Sequence, residues 1–224
     1  TSQEELSHYF RNLKLNDKNR NMVESWWDGL GVFNDHKFRV VYVGNLSSNI
    51  DLFDIKKAAQ SFKEKNIKVQ FVICGDGDYL QKFKDMMKGL DNVVFSGSIN
   101  KYKVFALANR CNVWLIPFFN KQNFILSLPN KTYDALYFGI PIFSSLQGEV
   151  KDLILKNEIG MFYDKINSLE KCIIKLKDNN DLQKLMSINA KKLYAERFEF
   201  NKVYDELVSH LENIVRNKNY SSPK

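Results

Sequence analysis

Side chains suited to covalent or metal chemistry are scarce in this chain of 224 residues, which has three cysteines and three histidines. Cys74, Cys111 and Cys172 are widely spaced, odd in number and set among apolar neighbours, which argues against both a disulfide framework and a metal site. They are expected to be ordinary buried thiols. His8, His36 and His210 have no ligand spacing to one another or to a cysteine, so no metal and no cofactor is expected. The chain has no Gly-x-Ser-x-Gly elbow and no Walker sequence, which disfavours a hydrolase nucleophile and ATP hydrolysis. Long apolar runs are missing too. The longest, Val113–Phe119, is far too short to span a bilayer, and residues 1–20 hold no apolar signal core. A cytoplasmic location follows as the expectation. The start at Thr1 rather than methionine points to a fragment or a processed chain.

What is present is a globular composition, 44% hydrophobic, with a formal charge of +7. That excess suits anionic partners such as nucleotides, phosphorylated lipids or an acidic membrane face; solvated lysine-rich helix surfaces would explain it equally. Nucleic acid is not expected, because basic residues are not interleaved with aromatics on one element. Short apolar runs recur at Arg39–Val43, Val69–Cys74, Asn92–Phe95, Asn112–Pro117, Ile140–Ser144 and Gly160–Tyr163, apolar at successive positions as in strands buried on both faces. Helical stripes separate them: Ile55, Ala58, Ala59 and Phe62; Leu80, Phe83, Met87 and Leu90; and Val104, Leu107 and Ala108 behind an Asn100 cap. Strand and helix in alternation predict a doubly wound α/β parallel sheet with right-handed crossovers. Residues 1–37 read as a helical or linker segment, 38–216 as a Rossmann-like domain with C-terminal helices, and 217–224 as a disordered tail. Val203, Leu207, Leu211 and Ile214 form an apolar stripe near that end.

The most informative stretch is Ser127–Ser145. Pro129 suits the first turn of a helix and Gly139 its end, so Lys131 falls in the first turn. The helix dipole disfavours a cation there by a few tenths to about 1 kcal/mol, whereas free amides at the same end favour an anion. A phosphate would resolve the conflict. Asp134, one turn on, shares the face of Lys131 and can accept hydrogen bonds from hydroxyls of the same ligand.

Ligands of open parallel sheets bind at the carboxyl ends of the strands. The loops there are Gly44-Asn45-Leu46, where Gly44 is either a close-approach glycine or a plain turn; Gly75-Asp76-Gly77, a weak Gly-x-Gly that lacks a third glycine; and Ser96-Gly97-Ser98, either a reader of a base edge or a simple loop. Pro117-Phe118-Phe119 leads into a long loop able to wrap a ligand, and Ser144, Ser145, Gly148 and Glu149 follow the fifth strand.

Taken in order, Val41-Tyr42-Val43-Gly44-Asn45-Leu46, Cys74-Gly75-Asp76-Gly77, Asn92-Val93-Val94-Phe95-Ser96-Gly97, Val113-Trp114-Leu115-Ile116-Pro117, Ser127-Leu128-Pro129-Asn130-Lys131 and Gly139-Ile140-Pro141-Ile142 resemble the C-terminal, donor-binding domain of retaining GT-B glycosyltransferases of the group that builds bacterial polysaccharide and lipopolysaccharide. The resemblance spans about residues 38–215. It implies a nucleotide-sugar donor, a UDP- or GDP-sugar, lying across these loops. Gly97 and Ser98 would meet the base and Asp134 the ribose. Gly44, Asn45, Pro117, Ser127, Leu128, Pro129 and Asn130 would line the donor, and Lys131 would meet the diphosphate and the charge growing on the leaving group. It also implies a glycan or lipid-linked acceptor and a place at the inner face of a membrane. The chain departs from the family at Leu126, where the first of two acids eight apart is common, at Asp134, where the second is usually glutamate, and at Asn45 and Ile50-Asp51, where an arginine and a lysine are common. The chain has no counterpart of the acceptor-binding half. A non-catalytic module that kept the fold is the alternative.

Overall fold

The computed structural model describes residues 17–165 and 168–219. Six strands, β1 (Phe38–Val43), β2 (Val69–Cys74), β3 (Val93–Gly97), β4 (Val113–Ile116), β5 (Ile142–Ser144) and β6 (Gly160–Phe162), form one sheet in the order β3-β2-β1-β4-β5-β6. Every pairing is parallel. The order reverses direction between β1 and β4, so the loops that leave those two strands flank the switch point.

The helices are α1 (Asp17–Gly29), α2 (Phe53–Glu64), α3 (Leu80–Met86), α4 (Lys101–Ala108), α5 (Gln122–Ile125), α6 (Asn130–Phe138), α7 (Glu149–Asn157), α8 (Leu169–Lys177), α9 (Asn180–Leu193) and α10 (Phe200–Asn219). A π-turn, Tyr194–Phe198, joins the last two. Side chains alternate across a strand, and both sides of this sheet are covered, which is why the strands read as unbroken apolar runs. Val40, Tyr42, Phe71 and Ile73 enter one core with the predicted α2 stripe of Ile55, Ala58, Ala59 and Phe62. Their chain neighbours Val41, Val72 and Cys74 enter a second core with Leu107 of α4.

The second core is closed by α1. Val23, Trp27 and Val32 are buried in it, and the Trp27 indole donates to the Lys103 carbonyl at 3.1 Å. Two arginines fix the same segment from below. Arg110 is buried and reaches Glu24, Asp28 and the Val32 carbonyl, while Arg39 bonds Gln70 at 2.7 Å and Asp35 at 2.6 Å. Residues 1–37 read as a helical or linker segment; within the described part, Asp17–Gly29 form a helix that packs on the sheet through these contacts.

Near the other end, α6 is held by aromatic pairs to the π-turn region: Tyr137 with Tyr194 at 5.4 Å and Tyr133 with Phe198 at 5.2 Å between ring centroids. The expected apolar stripe lies on α10, where Leu207, Leu211 and Ile214 are 49%, 52% and 40% exposed. Residues 217–219, expected to begin a disordered tail, continue this helix; 220–224 lie outside the described residues, as do 1–16 with His8. Among the described residues no helix is long and apolar enough to cross a membrane.

Candidate functional site

Three loops at the carboxyl ends of the strands are locked together. The segment after β1 runs antiparallel to the segment after β4 through a bridge between Ile50 and Phe118, with Asp51 N–H donating to the Pro117 carbonyl at 2.7 Å and Phe119 N–H to the Asn49 carbonyl at 3.0 Å. The segment after β2 fits beneath the first loop because it has no side chains in the way. A Cβ on Gly75 would strike the carbonyl of Gly44, and one on Gly77 would strike Asn45 and the Leu46 carbonyl. The Gly-x-Gly of the second loop is therefore a packing device that brings two loops into backbone contact. Asn45 is engaged in the same packing and also accepts the Tyr42 hydroxyl at its carbonyl, 2.8 Å away.

Helix α6 starts at Asn130, with Pro129 as its cap residue, and stops at Gly139, which takes the left-handed conformation (φ 68°). No side chain caps the first turn, and the amides of Asn130 and Lys131 have no acceptor among the described residues. Lys131 leans back over β1. Its Cε and Nζ occupy the place that a side chain on Gly44 would need. Its Nζ lies 5.8 Å from the Tyr42 ring centroid and 5.5 Å from that of Phe118. Contacts of this kind support a cation, yet they do not neutralise it. No ion pair holds Lys131 among the described residues, and burial lowers its pKa below the ordinary lysine value, with Asp134 opposing the shift. For Asp134 burial is again the larger cause and pushes the carboxyl up to about 6, while Lys131 pulls it down. The first turns of α6 thus carry an ammonium, a carboxylate and two amides that have no acceptor among the described residues. This arrangement suits a ligand carrying both anionic oxygens and hydroxyl donors.

The loop after β4 is more ordered than the wrapping loop expected, because α5 forms inside it. Asn120 ties it to the loop after β5: its amide donates to the Ser145 carbonyl at 3.2 Å and its oxygen accepts from Gln147 N–H at 2.6 Å. Lys121 ties it to the loop after β1 through a 2.7 Å bond from Nζ to the Asn49 side chain. Gly148 packs so tightly on the Ile125 carbonyl that a Cβ would not fit. None of these ties is visible in local sequence, since the partners are 23 or more residues apart.

The remaining expected positions fall as follows. Gly97 ends β3 at φ 71° and gives its carbonyl to Gly75 N–H, while Ser98 is exposed beside it. Ser127 spends its hydroxyl on the Asn123 carbonyl at 2.9 Å, Leu128 is partly buried against the core, and Leu126 stands 68% exposed. Pro117 is buried at the end of β4. Ser144 is consumed internally, donating to the Ile116 carbonyl at 2.6 Å and accepting from Leu146 N–H at 3.0 Å. A cleft of about 840 Å³ lies at the other end of the sheet, among residues that precede the strands such as Lys37, Arg110 and Asn112; it does not include this site.

Comparison with known proteins places the chain in a family. The chain is 25% identical over 186 residues to an uncharacterized glycosyltransferase of Methanocaldococcus jannaschii, a match covering 80% of this chain and 46% of that protein. Its fold matches Anabaena HepE, solved in complex with UDP and glucose, with a TM-score of 0.69 at 18% identity over 86% of this chain and 52% of that one. It also matches the C-terminal domain of LpcC, a glycosyl transferase group 1 family protein of Francisella tularensis, with a TM-score of 0.62 at 14% identity over 79% of this chain and 93% of that domain. The chain therefore spans about half the length of the full relatives, and its sheet and C-terminal helices are those of the C-terminal half of a GT-B glycosyltransferase. The sequence profile described as "Glycosyl transferases group 1" matches residues 31–193, more than half of the chain, which belongs to that family.

Proposed function

We propose that this chain is the donor-binding half of a glycosyltransferase that moves a sugar, with retention at the anomeric carbon, from a nucleoside diphosphate to a glycan or lipid-linked acceptor. The observation that carries the reading is the partly buried ammonium of Lys131 at the switch point, which among the described residues has no anionic ion-pair partner and lies in a helix turn where the amides of Asn130 and Lys131 have no acceptor. A diphosphate supplies the missing charge. Asp134, on the same helix face, accepts from ribose hydroxyls, and Gly97 and Ser98 present backbone to the base. Anabaena HepE, whose fold this chain shares, binds UDP and UDP-glucose, which supports a nucleotide-sugar as the ligand.

The role in transfer is electrostatic. When the bond from sugar to phosphate breaks, negative charge grows on the departing diphosphate. A lysine and helix amides already aimed at it need no rearrangement to stabilise it. The acceptor side of the reaction falls to the half of the protein that this chain does not span.

Asp134→Ala tests the ribose assignment. It should weaken binding of UDP or GDP by about tenfold, as for loss of charge-assisted hydrogen bonds, and leave inorganic pyrophosphate nearly unaffected. Equal losses for nucleotide and pyrophosphate would refute it.

A further inference from the structure

We infer that Lys121 is a second cation of the diphosphate site, a role that rests on the donor reading above. A diphosphate in a nucleotide-sugar carries about two negative charges at neutral pH, whereas Lys131 offers one positive charge and a helix end about half of one. The first-strand loop, residues 44–52, contributes no cation; its one charged residue is Asp51, whose carboxylate accepts from Phe53 N–H at 2.9 Å.

The loop after β4 meets the shortfall. It carries Phe118, whose ring lies 5.5 Å from Lys131 Nζ, and three residues later Lys121, whose Nζ is turned across to Asn49 at 2.7 Å. The backbone between them is fixed by the Ile50–Phe118 bridge and by the bond from Phe119 N–H to the Asn49 carbonyl. One short segment therefore supports the inner ammonium on a ring and holds an outer ammonium at the rim of the same switch point. Asn49 is a neutral holder. It keeps the lysine in place without cancelling its charge, unlike the carboxylates that engage Lys63, Lys65, Lys156 and Lys177 elsewhere on the surface.

Lys121 is exposed, so its substitution leaves the core intact. The test is calorimetric titration of the chain and of Lys121→Gln, Lys121→Arg and Asn49→Ala with UDP, UMP and uridine, and with the guanosine series. Lys121→Gln should weaken the diphosphate about 5- to 10-fold, as for one charge-assisted contact, and the nucleoside less than about twofold. Lys121→Arg should retain most of the affinity, and Asn49→Ala should give a smaller loss with the same preference for the diphosphate. Unchanged diphosphate affinity in Lys121→Gln, or an equal loss for nucleoside and diphosphate, would overturn the assignment while leaving the donor reading in place. Failure of the unsubstituted chain to bind UDP or GDP would overturn both.

Discussion

The ammonium end of Lys131 rests where the side chain of residue 44 would be, and residue 44 is glycine. The two are 87 positions apart in the chain, brought together because α6 starts above the end of β1 at the point where strand order reverses.

This contact predicts a contrast between two glycines. In Gly44→Ala the added methyl meets the flexible end of a lysine, which can swing away, but the backbone at φ 156° strains any side chain, so the loss should be about 1–3 kcal/mol with Lys131 displaced. In Gly75→Ala the methyl meets the backbone carbonyl of Gly44, which is anchored by a ladder bond, so the loss should be about 3 kcal/mol or more. Chemical denaturation of both variants measures the difference. Equal destabilisation would mean that backbone strain at the two glycines, and not the group each methyl meets, sets the cost.

Binding should depend on pH through Asp134 and Lys131. Burial raises the Asp134 pKa from 3.8 to about 6, so the carboxylate that accepts ribose hydroxyls forms only as pH rises through that value. Nucleotide affinity should climb between about pH 5 and 7, and Asp134→Asn should remove that limb. On the alkaline side affinity should fall earlier than for an ordinary lysine, because burial lowers the Lys131 pKa. Titrations across pH 5–10 check both limbs; an acid limb that persists in Asp134→Asn would assign it elsewhere.

The same shift predicts a stability effect of opposite sense to a salt-bridged carboxylate. Between its unfolded pKa near 4 and its folded pKa near 6 the folded chain holds more protons at Asp134 than the unfolded chain. Stability contributed by this residue is therefore lost as pH rises through that window, by about 1–2 kcal/mol after allowance for partial solvent contact. Asp134→Asn should be more stable than the parent at pH 7.5, and the gain should vanish by about pH 4. Thermal unfolding at the two pH values would show it, and a gain independent of pH would contradict the cause given.

Much of this site is readable in sequence because its signals are local. Pro129 and Gly139 mark the ends of α6, the strands announce themselves as unbroken apolar runs, and Asn100 caps α4 by accepting from Lys103 N–H as its spacing suggests. Signals that depend on distant partners are not readable. Nothing near Lys131 announces Gly44, Tyr42 or Phe118, and nothing near Lys121 announces Asn49. Lys131 reads from its own helix turn, whereas only the fold shows Lys121 bonded to Asn49 beside the Ile50–Phe118 bridge. The Gly75-Asp76-Gly77 motif reads as a weak phosphate signal for a similar reason: glycine allows close approach, and the sequence does not say that the approaching group is the chain's own carbonyl. The packing of the first helix is the clearest omission. Trp26 and Trp27 are conspicuous in a polar stretch, but only the fold shows Trp27 inserted against Val41 and Val72 and bonded to Lys103.

That insertion gives a further expectation. Trp27→Ala should cost about 3–5 kcal/mol, the range for removing a large aromatic from a packed core. Trp27→Phe should cost less, roughly 1–2 kcal/mol. Urea denaturation distinguishes the cases, and near-neutral values for both would mean that α1 is an appendage and not part of the domain.

The central claim, that the free ammonium of Lys131 awaits a nucleoside diphosphate, is tested most directly by titrating the chain and Lys131→Ala with UDP and with GDP at pH 7.5. The account predicts saturable binding of at least one by the unsubstituted chain, and a loss of about 10- to 100-fold in Lys131→Ala with the fold intact. A folded chain that binds neither nucleotide, or that binds one with the same affinity after Lys131 is removed, would contradict it.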